Sequence, residues 1–218
     1  MLGRMEDRIT QGLYLEMTDL DPAQYARRRV AEVLALPGVQ RATWWENCVP
    51  FRDDLPRNLP EFRLLGVYEV DGGFNLPARP DHITGYHFRH YPRPGQGTLS
   101  GKPTLGLLLV LISPKTPEDA QALRDWGDFV HIRDIAAASP PGYTMITPYE
   151  NVAGSAPQFL HFYELDTDDP EPAFQGMTPV VCERMGALGT HPWEEWAIHP
   201  ALVIDYVNTF RRLGARSR

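Results

Sequence analysis

Along residues 12–18 the chain alternates: Leu13, Leu15 and Met17 point one way, Tyr14, Glu16 and Thr18 the other. A period of two predicts a half-buried strand. Asp21 then offers an N-cap oxygen, Pro22 suits the first helical position, and Gln24 is spaced to reach back to the cap. A helix is therefore predicted, with Ala26, Val30, Val33 and Leu34 on one face. Pro37-Gly38 ends it. Residues 40–48 and 62–70 read as strands joined by a polar, Pro-containing loop, and 84–91 is a candidate fourth strand. Residues 104–113 are apolar on both faces, which predicts a central strand. Thr116-Pro117 repeats the cap-then-proline start, opening a helix that runs to about Ala138. Strands over 143–149 and 159–165 follow. Asp169-Pro170 opens a further helix with Phe174, Met177 and Val181 on one side. His199-Pro200 reads as a last helix start, because Val203, Tyr206, Val207, Phe210 and Leu213 form an apolar stripe. That leaves only 194–198 as a candidate for the last strand.

The two halves repeat each other. Asp21-Pro22-Ala23-Gln24 is echoed by Thr116-Pro117-Glu118-Asp119, Pro37-Gly38 by Pro141-Gly142, and Glu46-Asn47 by Glu150-Asn151. Pro60-Glu61-Phe62 is echoed by Pro157-Gln158-Phe159, and Tyr68-Glu69-Val70-Asp71 by Tyr163-Glu164-Leu165-Asp166. The offsets are 95, 104, 104, 97 and 95, in unbroken order. Each half reads β-α-β-β, then a second helix or its remnant, in the split-βαβ, ferredoxin-like order. The expected fold is α+β: tandem ferredoxin-like (βαββαβ) repeats over 1–95, with a reduced second helix, and 96–218, with a C-terminal helix.

Composition narrows the function. A formal net charge of -7 argues against a surface for nucleic acid, which needs clustered Lys and Arg. Arg27-Arg28-Arg29 spans one helical turn and reads as a solvated face. Cys48 and Cys182 form neither a disulfide framework nor a zinc spacing. Two lone cysteines suit a reducing compartment. The N-terminus shows no apolar core of signal-peptide length, and the run Leu105–Ile112 is too short to span a bilayer. The expectation is a cytoplasmic protein with no membrane and no nucleic-acid partner. A Gly-rich phosphate loop and a nucleophile elbow are both missing from the sequence.

Two tandem units of this order resemble the dimeric α+β barrel superfamily. Its members include EthD-like proteins, polyketide cyclases, cofactor-free monooxygenases, muconolactone isomerase and the tandem haem proteins of the chlorite dismutase group. The resemblance covers roughly residues 10–185 and rests on element order and duplication. It implies a pseudo-dimer in which two sheets face each other beneath outer helices. It also implies a cleft between sheet and helices for a small hydrophobic or aromatic molecule. The reaction does not follow from the fold.

Strand alternation sorts the candidate site residues onto faces. His161 lies mid-strand, where a buried imidazole near neutrality acts as base or acid, or sits as a satisfied core histidine. Glu16 occupies a strand interior, which asks for a partner such as Arg63 or a proton-transfer role. Asn47 and Asn151 end equivalent strands; each is either an Asx-turn residue or a donor to a developing enolate. Tyr149 shares the Asn151 face, and His131 follows Trp126-Gly127-Asp128 on the extended helix. Trp45, Tyr14, Tyr163, Trp126 and Phe159 are the expected substrate-binding set. Trp193 and Trp196 read first as anchors of the C-terminal segment. His82, His87 and His90 lack metal-ligand spacing, so no metal is expected. The leading expectation is a cofactor-free enzyme working by proton transfer, as isomerase, cyclase, lyase or monooxygenase. The alternatives are a haem protein ligated by His161 or His131, and a non-catalytic metabolite binder. The aromatic C-terminal segment leaves room for a homodimer.

Overall fold

The first alternating segment becomes strand β1 (Gly12–Thr18). Asp21 caps the next element through a Gln24 N–H at 2.9 Å, with Pro22 at its first position. The helix comes as two short pieces, α1 (Pro22–Arg27) and α2 (Arg29–Leu34), broken at Arg28. Strands β2 (Val39–Asn47), β3 (Leu64–Val70) and β4 (Thr84–His90) complete the first half. The second half runs β5 (Gly106–Pro114), α3 (Ala120–Trp126), a π-helical turn (Gly127–His131) and α4 (Ile132–Ala138). It continues through β6 (Tyr143–Asn151), β7 (Phe159–Leu165), α5 (Pro170–Met185), α6 (His191–Ala197) and β8 (Leu202–Ser217). This computed structural model describes residues 10–186 and 191–218.

The strands close into one antiparallel barrel in the order β1-β3-β2-β8-β5-β7-β6-β4. The two expected sheets are thus a single wall. Each half contributes the same local order, β4-β1-β3-β2 and β8-β5-β7-β6. Both halves also carry the same irregularity: the register slips between Val39 and Arg41, and again between Tyr143 and Met145.

The C-terminus corrects two expectations. The helix expected after His199-Pro200 is the sixteen-residue strand β8, which pairs with β2 and β5 and joins the halves. The strand expected at 194–198 is α6 instead. The physical reason lies in two bulges. Opposite β5 the pairing passes from Tyr206 to Ile204, and opposite β2 from Gly214 to Arg212. Each extra residue flips the side-chain alternation. Both faces of β8 are also covered, Tyr206 and Phe210 inside the barrel and Val207 under the helices. Two buried faces and a phase change mimic a helical stripe.

Apolar side chains fill the barrel lumen. Leu13, Leu15 and Val67 from the first half meet Leu109, Leu160 and Phe162 from the second. Full burial of such side chains is worth about 1.5–3 kcal/mol each, so this shared core welds the halves. The outward face of each half packs under its own helices. No helix among the described residues is long and apolar enough to cross a membrane.

Candidate functional site

The outer faces of the two halves differ at one pair of positions. On the first half, Gly66 sits opposite Glu16 in the β1–β3 ladder; on the second, His161 sits opposite Val110 in the β5–β7 ladder. Gly66 leaves room that the Tyr25 side chain takes: a Cβ there would lie 1.9 Å from the tyrosine hydroxyl. Tyr25 and Tyr14 hydroxyls donate to Glu16 at 2.9 and 2.8 Å. Arg29 Nη2 donates to the same carboxylate at 2.6 Å. Glu16 is 0% exposed and fully engaged. Its partner is Arg29, not Arg63, which reaches Glu46 on the surface. Arg29 therefore leaves the expected solvated face and turns inward. Tyr14 and Glu16 belong to this sealed cluster, where burial, before the neighbouring carboxylate, pushes the Tyr14 phenol far above its ordinary range.

The second half leaves the equivalent space open. A chamber of about 260 Å³ lies between the sheet and α5, α6 and the π turn. Its walls are apolar and aromatic: Leu108, Val110 and Ile112 from β5, Met177 from α5, and Trp193 and Trp196 from α6. Leu55 enters from the β2–β3 loop of the first half. Two of the three indole N–H groups are spent within the protein. Trp126 Nε1 donates to the Glu195 carbonyl at 2.8 Å and Trp196 Nε1 to the His131 carbonyl at 3.1 Å.

Two polar groups inside this chamber stand without partners among the described residues. His161 is 4% exposed and Tyr163 1%, and both line the chamber from β7. Alternation puts them on one face, with Leu160 and Phe162 turned into the lumen. Burial, and secondly the facing His131, pulls the His161 imidazole down to about 3. Burial alone pushes the Tyr163 phenol far up. At neutral pH the chamber thus presents a neutral imidazole and a protonated phenol. His131 also lines it, but is tied down: Nδ1 lies 3.1 Å from the Trp196 carbonyl, and the ring stacks on Trp196 at 5.0 Å. Burial holds it neutral too.

The remaining expected residues lie elsewhere. Trp45 fills the lumen, its indole N–H on Thr43 at 2.8 Å. The Asn47 and Asn151 amides both serve Asx turns. Each Oδ1 accepts from a backbone N–H two residues on, at 2.8 and 3.0 Å, and each Nδ2 donates to the Phe62 or Pro157 carbonyl at 2.9 Å. Tyr149 bridges to Thr10 at 3.1 Å, and Phe159 lies under the Arg124 guanidinium. Of the expected set, the structure gathers His161, His131, Tyr163 and Trp126 at one chamber. It adds Trp193, Trp196 and Leu55. The two tryptophans read first as anchors in the sequence, with a pocket-lining role for one of them as the lesser alternative, and Leu55 gave no signal at all.

No protein-family model and no curated protein matches the chain in sequence. Solved structures do. A provisionally assigned monooxygenase from Fusobacterium nucleatum superposes with a TM-score of 0.53 at 6% identity, covering 95% of this chain and 94% of that one. An anthrone oxidase-like protein gives 0.50 at 11% identity, covering 97% and 94%. This is the dimeric α+β barrel fold. A major regulator of staphylococcal pathogenesis shares it too, at 0.52 and 8% identity over 93% and 99%. One dimeric α+β barrel scaffold thus carries unlike roles, and the site must decide.

The buried imidazole gives this barrel an acid sensitivity with a defined sign. Below the ordinary histidine value of 6.5 the unfolded chain takes up a proton that His161 refuses in the fold until about 3. The unfolded state binds more protons across that window, so stability rises with pH there, by up to about 1.4 kcal/mol per unit from this group. His161→Phe is expected to flatten that part of the slope. Urea midpoints of both proteins across the upper part of the window check it.

Proposed function

We propose that the chain is a small-molecule enzyme that uses the second-half chamber for proton transfer on a small aromatic ketone or phenol, without a cofactor. The observation that carries this reading is the pair of unpartnered groups, His161 and Tyr163, in an otherwise apolar enclosure. A ligand that leaves them unmet costs about 1–3 kcal/mol per buried polar atom, so the chamber favours a flat apolar body with one oxygen. The size suits this: about 260 Å³ lies just below the ~300 Å³ at which ligand pockets usually begin.

In this reading the Tyr163 hydroxyl donates to the substrate oxygen as negative charge develops there. His161 takes the proton. Its low resting affinity for a proton comes from burial; an enolate formed beside it favours the imidazolium. The anthrone oxidase-like neighbour supplies a probe. Loss of a ring C–H proton from anthrone to His161 leaves a stabilised carbanion. Dioxygen adds to that carbon, the peroxide takes the proton back, and elimination of water leaves the second carbonyl. Anthrone and dioxygen become anthraquinone and water, and the atoms balance without a further reductant.

A haem does not suit this chamber. A tetrapyrrole exceeds its volume, and among the described residues neither Arg nor Lys lines it to meet two carboxylates. The experiment is turnover of anthrone in air by metal-free, cofactor-free protein, followed as anthraquinone absorbance and oxygen uptake. Formation well above the uncatalysed rate supports the reading. Turnover that appears only after haemin is added contradicts it.

The shared strand order, the paired register slips and the paired Asx turns support a second proposal, that the halves are ferredoxin-like repeats descended from one duplicated unit. The catalytic assignment then follows an asymmetry. Turns had to be built twice, whereas the chamber is sealed by Tyr25 in one half and kept in the other.

A further inference from the structure

His161 stands between two cavities. On one side is the apolar chamber; on the other is a void of about 10 Å³ that the ring shares with Asp128, Tyr149 and Arg124. The imidazole edge fits closely under the π turn, where a Cβ on Gly127 would lie 3.1 Å from its Nε2. Asp128, the next residue, is 2% exposed. Its Oδ2 accepts from Arg93 Nη1 at 2.9 Å, but its Oδ1 is buried with no partner among the described residues. Two of the other groups around the void have partners of their own. The Tyr149 hydroxyl meets Thr10, and Arg124 donates to Glu150 at 2.8 Å while stacking over Tyr91 and Phe159.

Asp128, with one carboxylate oxygen unpaired, and His161, with its imidazole unpaired, thus line one space about the size of a single water, which needs roughly 10–15 Å³ and at least two polar partners. We propose that one water in this void accepts from a His161 ring N–H and donates to Asp128 Oδ1, making Asp128 the positioning residue that fixes the His161 tautomer. The ring nitrogen opposite then keeps its lone pair for the chamber, because the bond made by one nitrogen decides the state of the other. The catalytic meaning rests on His161 being the base; the tautomer itself does not.

Ring-¹⁵N spectra of histidine-labelled protein at neutral pH, without substrate, read the tautomer directly. Wild type should show one fixed tautomer. In Asp128→Asn, Arg93 holds the amide oxygen, so the amide N–H₂ faces the void. The water must then accept from it and donate to the imidazole. The protonated and bare ring nitrogens of His161 should exchange places. Asp125→Asn breaks the other Arg93 ion pair without touching the void and should leave the tautomer unchanged. The same nitrogen protonated in wild type and Asp128→Asn, or an equal change in Asp125→Asn, overturns the proposal. If Asp128→Asn does not fold, a high-resolution crystal structure of the wild type decides. A water within hydrogen-bond reach of both groups upholds the proposal, and an empty void overturns it.

Discussion

Replacing His161 with alanine should lower kcat for anthrone oxidation by about 10²–10⁴, the range for loss of a general acid or base. The reason is geometric. The chamber's other imidazole, His131, spends Nδ1 on the Trp196 carbonyl and is stacked on its ring, so it cannot swing across to substitute. Tyr163→Phe should cost about 10²–10³, in line with the removal of one oxyanion donor. Asn151→Ala should differ in kind. Its amide holds a turn, so stability should fall by about 1–3 kcal/mol while turnover per folded molecule stays near wild type. Stopped-flow rates at saturating anthrone, normalised to folded protein, separate the three. A His161→Ala enzyme within threefold of wild type would remove this residue from the chemistry.

Arg29→Met should be the most damaging single change to stability. It leaves the Glu16 carboxylate, 0% exposed, without its countercharge. Stripping one partner from a buried ion pair costs about 3–5 kcal/mol. Adding Glu16→Gln removes the stranded charge while keeping an acceptor for the Tyr14 and Tyr25 hydroxyls, and should recover most of the loss. Urea unfolding of the two single variants and the double variant measures this coupling. A single variant that loses less than about 1 kcal/mol would mean the pair is effectively solvated. Because Glu16 lies in the sealed half, Glu16→Gln alone should leave anthrone turnover unchanged.

Much of this architecture was legible in the chain because the same local signatures recur in both halves. The Pro-Gly turns, the Asn that ends β2 and β6, and the Tyr-Glu-apolar-Asp run that ends β3 and β7 are local devices. Local devices leave local marks. Strand β8 was hidden, because two bulges shift its phase and both its faces are covered, so the usual alternation is lost. The site was legible only in part. His161 and Tyr163 share a face on β7 by simple alternation, and the extended helix before His131 pointed to the same region. Gly127 within that helix was a further signal, since a glycine in a helical pattern usually answers a close approach; here it admits the His161 ring. What no pattern could give was which half stays open. That depends on the Tyr25 phenol entering the space over Gly66 while, among the described residues, no side chain fills the chamber beside His161. Two residues forty-one positions apart make that choice in three dimensions only. Leu55 reaches the chamber from the other half for the same kind of reason.

We expect substrate on the open outer face of the second half, and not in the barrel lumen or on the first half. A crystal structure of the protein grown with saturating anthrone under anaerobic conditions tests it most directly. The ligand should lie among Trp126, Trp193 and Trp196, with its oxygen within hydrogen-bond distance of Tyr163 or His161. Anthrone in any other cavity, or an open-half chamber that stays free of ligand at saturation, would contradict the account.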